Sequence, residues 1–247
     1  MCKNLFKNLR VACLPLSKPE DKYRDFFSTR KLNSGLAGKS LRGGANVMVA
    51  EILSSVLRIG SMVILARLLL PEDFGLLAMV TAVTVFAERF KDLGLADATV
   101  QAKDITHAQA SSLFWINIGI CIVIAILIAS LSKAIAWFYN EPRLIGISLV
   151  IASTFLFSGL VVQHQAVLQR QFHFGMLALI QISSILLSVL VAILLAYYGF
   201  GYWSLVAREF SRAVFVVIGT WYACKWWPSM PSRKIDLGNF LSFARYI

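Results

Sequence analysis

The sequence predicts an all-α integral membrane protein, and its composition and hydropathy pattern lead to that fold class. Hydrophobic residues make up 58% of the 247 residues and charged residues only 15%, whereas soluble domains contain about 45–50% apolar and roughly 25% charged residues. Long apolar stretches alternate with short polar joints, a pattern typical of helical membrane proteins. The composition excludes a disordered chain, a collagen-like chain and a disulfide-rich secreted domain.

Six apolar stretches are each long enough to cross the hydrocarbon core of a bilayer, which takes about 20 residues. All six prolines lie outside the interiors of these stretches, and the tryptophans fall near their ends as interfacial anchors. Pro71, Glu72 and Asp73 are typical of a helix start, because proline and acids suit a first turn with free N–H groups. The predicted spans cover residues 45–66, 73–92, 112–132, 144–168, 175–198 and 202–224.

The polar ends of the chain form two further predicted regions. Residues 1–43 carry ten basic and three acidic residues, so we interpret them as a basic cytoplasmic tail, and they lack the features of a signal peptide. The membrane lobe then covers residues 44–224. Residues 225–247 form a cytoplasmic joint and the start of a seventh transmembrane helix, which begins near residue 237.

The basic residues sort by side of the predicted membrane. The tail and the joints on its side hold seventeen of them, and the opposite joints hold three. This asymmetry follows the positive-inside rule and predicts a multi-pass protein with a cytoplasmic N-terminus. Most of the net charge of +11 is therefore a topology signal, and no nucleic-acid partner is expected.

Ionisable residues inside the spans are the strongest functional signal, because each costs about 2.5–3.5 kcal/mol at a helix centre on insertion scales. Glu51 and Arg58 lie two helical turns apart on nearly the same face of the first span. Arg208 and Arg212 share a face of the sixth span, and Gln181 begins a milder polar stripe in the fifth.

Two interpretations of these residues remain open. In the first, the charges simply pair, Glu51 with Arg58 and Glu209 with Arg212. In the second, arginines from at least two helices line a water-filled cavity. Such a cavity suits an anionic group, because guanidinium binds phosphate in a bidentate fork without losing its proton.

Patterns typical of catalysis, metal binding or cofactor binding are missing from the sequence. Residues 35–40 imitate a phosphate-binding loop, but Asn33 stands where its first glycine belongs. His107, His164 and His173 lack the spacing of metal or haem ligands. Because paired carboxylates on a long loop are also missing, we expect a protein that moves a substrate, with no enzymatic activity, cofactor or metal.

Several short segments of the sequence resemble those of a known family. The segment Leu65–Leu76 resembles the junction between spans 1 and 2 of bacterial polysaccharide flippases, which belong to the multidrug/oligosaccharidyl-lipid/polysaccharide exporter superfamily. Residues 92–95 and 100–101 are similar to the family's next inner loop. Leu168–Phe172 and Gly199–Val206 are similar to later joints, in the right order. The resemblance runs from about residue 36 to residue 247.

The resemblance implies a fold of two six-helix lobes, of which this chain holds the N-terminal one. It implies a flippase in the bacterial inner membrane that moves undecaprenyl-pyrophosphate-linked glycans, the precursors of lipopolysaccharide or exopolysaccharide, by alternating access through a cationic cavity. Arg58, Arg208, Arg212 and Gln181 then become candidate residues of the substrate cavity. Glu51 becomes the candidate for ion coupling.

The length departs from the family, because roughly half of a two-lobe chain is missing. We therefore expect a fragment or a split gene, and a lobe that needs a second lobe or self-association for transport. Two alternatives stay open. One is a cation-coupled small-molecule or drug antiporter of the same superfamily, which would prefer acidic cavity residues. The other is a non-transporting membrane assembly subunit.

Overall fold

A computed structural model describes residues 36–91, 96, 99–100, 105–224 and 226–230 of the chain. Within these residues, six helices of at least 20 residues form a bundle. They are α1 (Leu36–Leu68), α2 (Pro71–Phe90), α3 (His107–Phe138), α4 (Leu144–Arg170), α5 (Phe174–Tyr197) and α6 (Tyr202–Cys224).

Four of these helices are long and apolar enough to cross a membrane, namely α3, α4, α5 and the Val47–Leu68 part of α1. This confirms the predicted all-helical, multi-pass membrane protein. Helices α2 and α6 are not among these four apolar helices, because each carries at least three charged residues. Those of α2 lie at its two ends, and those of α6 lie within it.

The observed helix ends differ most from the prediction at α1. This helix begins at Leu36, so it continues through residues 43 and 44, where the sequence places the boundary between tail and lobe. The prediction took Gly43 and Gly44 as a break, but a helical glycine costs only about 0.5–1 kcal/mol. An established helix extends easily across such positions, because propagation costs much less than nucleation. Residues 1–35 and the predicted seventh helix lie outside the described residues.

Local capping fixes the starts of α2 and α3. Pro71 occupies the first turn of α2 as predicted, and the Leu70 N–H donates to the Asp73 carboxylate at 3.1 Å. At α3, the Gln109 N–H donates to Thr106 Oγ1 at 3.2 Å, and the Thr106 N–H donates to Gln109 Oε1 at 2.9 Å. This reciprocal capping box starts α3 ahead of the span predicted from residue 112.

Buried clusters define two ends of the bundle. At one of them, which we name the Pro71 end, Leu65 near the end of α1 packs with Ala196 near the end of α5 and Leu205 near the start of α6. A second cluster at this end joins the start of α2, the end of α3 and the start of α4 through Leu76, Ile135, Ala136 and Leu144.

The opposite end, which we name the His107 end, joins the start of α3 to the end of α4 and to the segment after α6. His107 Nε2 donates to the Trp227 carbonyl oxygen at 3.2 Å. Arg170 at the end of α4 donates from Nη1 to the Thr99 carbonyl oxygen at 3.0 Å. The joints therefore alternate between the two ends, and consecutive helices from α1 to α6 run up and down.

Trp226 corrects one sequence-based expectation. The sequence predicts an interfacial anchor, but this side chain is only 1% exposed. Its indole packs edge-to-face on Phe114, and its carbonyl oxygen accepts from His164 Nε2 at 3.3 Å. The reason lies in the tertiary packing. After Cys224 the chain turns back over the bundle, so the indole fills space between α3 and α4.

Helix α6 occupies the middle of the bundle, with α4, α5 and α2 against it, while α3 packs on α4 and α1 packs mainly on α5. Gly219 allows α6 to approach α5 closely, since a Cβ at this position would lie 2.9 Å from Cγ2 of Ile180. The helices α2, α4, α5 and α6 line an open cavity.

Candidate functional site

The cavity between α2, α4, α5 and α6 has a volume of about 600 Å³. Its lining reaches Lys91, Gln169 and Leu177 near the His107 end, and it extends to the middle of α6. Both α6 arginines line it, together with the carboxylate between them and a glutamine from α5: Arg208, Glu209, Arg212 and Gln181.

The three charged residues of α6 form one ionic group. Glu209 Oε1 lies 2.9 Å from Nη2 of Arg208, and Glu209 Oε2 lies 3.3 Å from Nη2 of Arg212. The predicted pair of Glu209 and Arg212 is therefore present, and the same carboxylate also pairs with Arg208. The group carries a net charge of +1, and its side chains are only partly exposed, 22% for Arg208, 29% for Glu209 and 46% for Arg212.

The position of this ionic group explains how α6 holds three charged residues within its length. Arg208 and Arg212 stand four residues apart, so they share a helix face, and that face lines the cavity. Ionisable residues inside membrane proteins almost always face the bundle interior or a water-filled cavity, because lipid solvates them poorly. The charged side chains of α6 likewise face the cavity.

Helix α4 supplies a polar face that the sequence reasoning missed. Thr154, Ser158, Gln165 and Gln169 line the cavity and fall within about 60° of one another around the helix, at 100° per residue. The helical spacing of these four residues in an otherwise apolar stretch was the sequence signal that could have predicted this face. Among the described residues, the side-chain amides of Gln165 and Gln169 have no hydrogen-bond partner, so they are free to bind a ligand.

Gln181 of α5 lines the same cavity as the two arginines of α6. The polar stripe predicted to begin at Gln181 continues in the sequence with Ser184 and Ser188. The structure separates them, because both serines are only 1% exposed and are buried in the helix packing. Three of the candidate residues, Arg208, Arg212 and Gln181, are thus brought together.

Arg58 and Glu51 lie elsewhere. Both side chains are exposed on α1, and neither is among the residues that line the cavity. No ion pair joins Glu51 to Arg58 in the part of the chain that the structure describes, so the predicted pair is wrong. On the same helix, Ser54 and Ser61 are buried while the two charged residues face outwards.

A second pair of charged residues, Glu88 and Lys91, lines the cavity at the end of α2. Together with the α6 group this gives three cationic and two anionic side chains around the cavity. The described residues contain no cluster of three or more His, Cys, Asp or Glu side chains that suits a metal ion. The cavity therefore has a mixed polar and apolar lining, in which the charged side chains leave a small positive excess.

These features define a multi-pass helical membrane protein with a charged cavity inside its helix bundle. Residues 64–247 match a family model described as polysaccharide biosynthesis protein. The chain belongs to that family, which confirms the family resemblance predicted from the sequence.

Several curated proteins are similar to the chain. The lipopolysaccharide biosynthesis protein WzxC of Escherichia coli is 27% identical over 61% of this chain and 31% of its own length. The teichuronic acid biosynthesis protein TuaB of Bacillus subtilis is 29% identical over 84% of this chain and 44% of its own length. The succinoglycan biosynthesis transport protein ExoT of Rhizobium meliloti is 28% identical over 74% of this chain and 36% of its own length.

The chain thus spans less than half the length of these curated relatives. No solved structure matches it. The description of the family and the names of the relatives both refer to polysaccharide biosynthesis.

Proposed function

We propose that the chain forms the N-terminal lobe of a flippase that moves lipid-linked polysaccharide precursors across the bacterial inner membrane. The observation that carries this proposal is the pair Arg208 and Arg212 inside a cavity of about 600 Å³. Guanidinium groups bind phosphate bidentately and keep their charge in partly buried sites. An undecaprenyl pyrophosphate carrier offers the matching anion. The names of the relatives, which include a succinoglycan transport protein, support a glycan as the group attached to that carrier.

Six membrane crossings are part of the proposal. The up-and-down order of the helices supports them, because the start of α2 lies at the same end of the bundle as the end of α3, and the start of α6 lies with the end of α5. Helix α2 has 20 residues and α6 has 23, which at 1.5 Å per residue gives about 30 Å or more, the thickness of the hydrocarbon core.

The polar face of α4 extends the proposed site beyond the diphosphate. Threonine and serine hydroxyls and glutamine amides both donate and accept hydrogen bonds, which suits the hydroxyl groups of a sugar. We assign the arginine pair and Gln181 to the head group of the lipid carrier. The face formed by Thr154, Ser158, Gln165 and Gln169 then contacts the glycan.

Arg58 and Glu51 keep proposed roles that depend on a second lobe. Their exposure on α1 supports a position on a wall of the transport path that a second lobe, or a second copy of this chain, completes. Arg58 then adds a further substrate contact, and Glu51 couples transport to an ion. The lobes alternate between access to the cytoplasm and access to the opposite side of the membrane.

The proposal is tested in the bacterium that encodes the chain. Arg212→Ala in the chromosomal gene is expected to abolish surface polysaccharide and to leave lipid-linked precursor on the cytoplasmic side. Lys133→Ala is the matched control, since Lys133 is exposed on α3 and does not line the cavity. Normal surface polysaccharide in the Arg212 variant, with both proteins present in the membrane at equal amounts, would contradict the assignment.

A further inference from the structure

Glu209 occupies one donor edge of each guanidinium of the arginine pair. Its Oε1 accepts from Arg208 Nε at 3.2 Å and from Nη2 at 2.9 Å. Its Oε2 lies 3.4 Å from Arg212 Nε and 3.3 Å from Nη2. Each guanidinium thus turns its Nε–Nη2 edge to one carboxylate oxygen, and this edge is one of those that bind phosphate oxygens in a fork.

We infer that Glu209 is an exchangeable counter-ion, which holds the arginine pair while the cavity is empty and is displaced when a diphosphate binds. This inference rests on the proposed function, because it takes the diphosphate site of Arg208 and Arg212 as given. It adds that the carboxylate between them competes with the substrate.

The exposure of the group makes the exchange feasible. The Glu209 side chain is 29% exposed and that of Arg212 is 46% exposed, so both partners lie open to the cavity, which the proposed function takes as water-filled. Ion pairs in such surroundings are weak, and a carboxylate can leave one without losing all solvation. A fully buried pair would hold its partners much more tightly, because breaking it leaves an uncompensated charge.

The other charged residues around the cavity are not placed to replace Glu209. Glu88, the second carboxylate of the lining, lies at the end of α2 and forms no ion pair with the arginines. Lys91 near it is cationic, and the lining from α4 and α5 is neutral. Glu209 is thus the one described carboxylate that pairs with Arg208 and Arg212.

A competing carboxylate gives the cavity selectivity among anions. A ligand must bring enough charge to replace Glu209 on two guanidiniums at once. Inorganic pyrophosphate offers two linked phosphoryl groups, one for each arginine, whereas orthophosphate offers one. We therefore expect the wild-type chain to prefer pyrophosphate, and this preference to depend on the Glu209 carboxylate.

The test is a titration of the purified 247-residue chain in detergent with inorganic pyrophosphate and, separately, with orthophosphate. Glu209→Gln is expected to bind pyrophosphate about tenfold more tightly than wild type, which corresponds to about 1.4 kcal/mol, and to lose part of its preference over orthophosphate. Glu88→Gln is the matched control, because it removes the same charge from the same cavity without touching the arginines. It is expected to change affinity by less than about twofold.

Each outcome decides the matter. Equal or weaker pyrophosphate binding by Glu209→Gln overturns the inference and makes Glu209 a positioning residue for the arginines, while the proposed site stands. An equal gain in pyrophosphate affinity in Glu88→Gln also overturns the inference, because the gain then follows from the net charge of the cavity and not from the contact between Glu209 and the arginines. If neither wild type nor Glu209→Gln binds pyrophosphate, the proposed diphosphate site fails as well. Glu209→Ala, checked by thermal unfolding, repeats the test if the glutamine variant folds poorly.

Discussion

The His164 imidazole stacks on the Trp221 indole, with ring centroids 4.6 Å apart and ring planes 25° from parallel. This contact joins α4 to α6, two of the helices that line the cavity. The Trp221 indole N–H also donates to the Leu160 carbonyl oxygen at 3.1 Å. The aromatic residues near the His107 end therefore hold the cavity walls at a fixed spacing.

Trp226 is the residue of this aromatic group whose loss we expect to cost most. Trp226→Ala removes an indole that is 1% exposed and leaves a cavity among Phe114 and His164. The expected loss of unfolding free energy is about 3–5 kcal/mol, as for other buried aromatic residues. The measurement is reversible unfolding of the chain in mixed micelles.

Trp227→Ala is the matched control for this prediction. The neighbouring indole is 67% exposed and contacts Trp221 edge-to-face at 5.3 Å, so its removal is expected to cost about 1 kcal/mol. Equal losses for the two variants would show that the segment after α6 does not pack on the bundle as described.

Gly219 is predicted to control the spacing of α5 and α6. Gly219→Ala places a methyl group 2.9 Å from Cγ2 of Ile180 and should destabilise the chain by about 1–3 kcal/mol, as overpacking does. Adding Ile180→Ala should restore part of this loss, because it removes the clashing atoms. Thermal unfolding in detergent measures both effects.

Gly60→Ala provides the contrast. A Cβ at Gly60 meets nothing within 4 Å, and alanine is favoured over glycine in a helix by about 0.5–1 kcal/mol. This variant is expected to be as stable as wild type or slightly more so. If Gly219→Ala behaves like Gly60→Ala, the close approach of α5 and α6 is not required.

The number of membrane crossings is open to a direct labelling test. In a cysteine-free background, Arg143→Cys and His173→Cys place exposed thiols in the α3–α4 and α4–α5 joints. Six crossings with a cytoplasmic N-terminus predict that a membrane-impermeant thiol reagent added outside the cytoplasmic membrane labels position 143 and spares position 173. With only the four most apolar helices crossing, the joints change sides, and the labelling pattern inverts.

The sequence predicted best those features that depend on residues close together in the chain. The i, i+4 spacing of Arg208 and Arg212 was enough to place both on one face of α6, because helix geometry depends only on the backbone. The start of α2 followed from Pro71 and its neighbouring acids in the same way. The observed bounds of α6 agree with the predicted span.

Features that depend on which helix packs against which were not predictable. The face of α1 that contains Ser54 is buried because α5 packs against it, and this leaves Glu51 and Arg58 exposed without the predicted pair. Trp226 lies in the core because the chain turns back after α6. Neither packing partner nor chain reversal is encoded in local spacing, so periodicity alone gave the wrong environment for these residues.

The central claim is that Arg208 and Arg212 form the diphosphate site, and one binding measurement tests it most directly. A short-chain polyprenyl diphosphate is titrated into the chain in lipid nanodiscs, for wild type, Arg208→Gln/Arg212→Gln and Lys133→Gln. Because charge-assisted hydrogen bonds contribute about 1.5–3 kcal/mol each, the double variant is expected to bind at least about tenfold more weakly. Lys133→Gln, which removes an exposed charge outside the cavity, is expected to bind like wild type. Undiminished binding by the double variant would contradict the account.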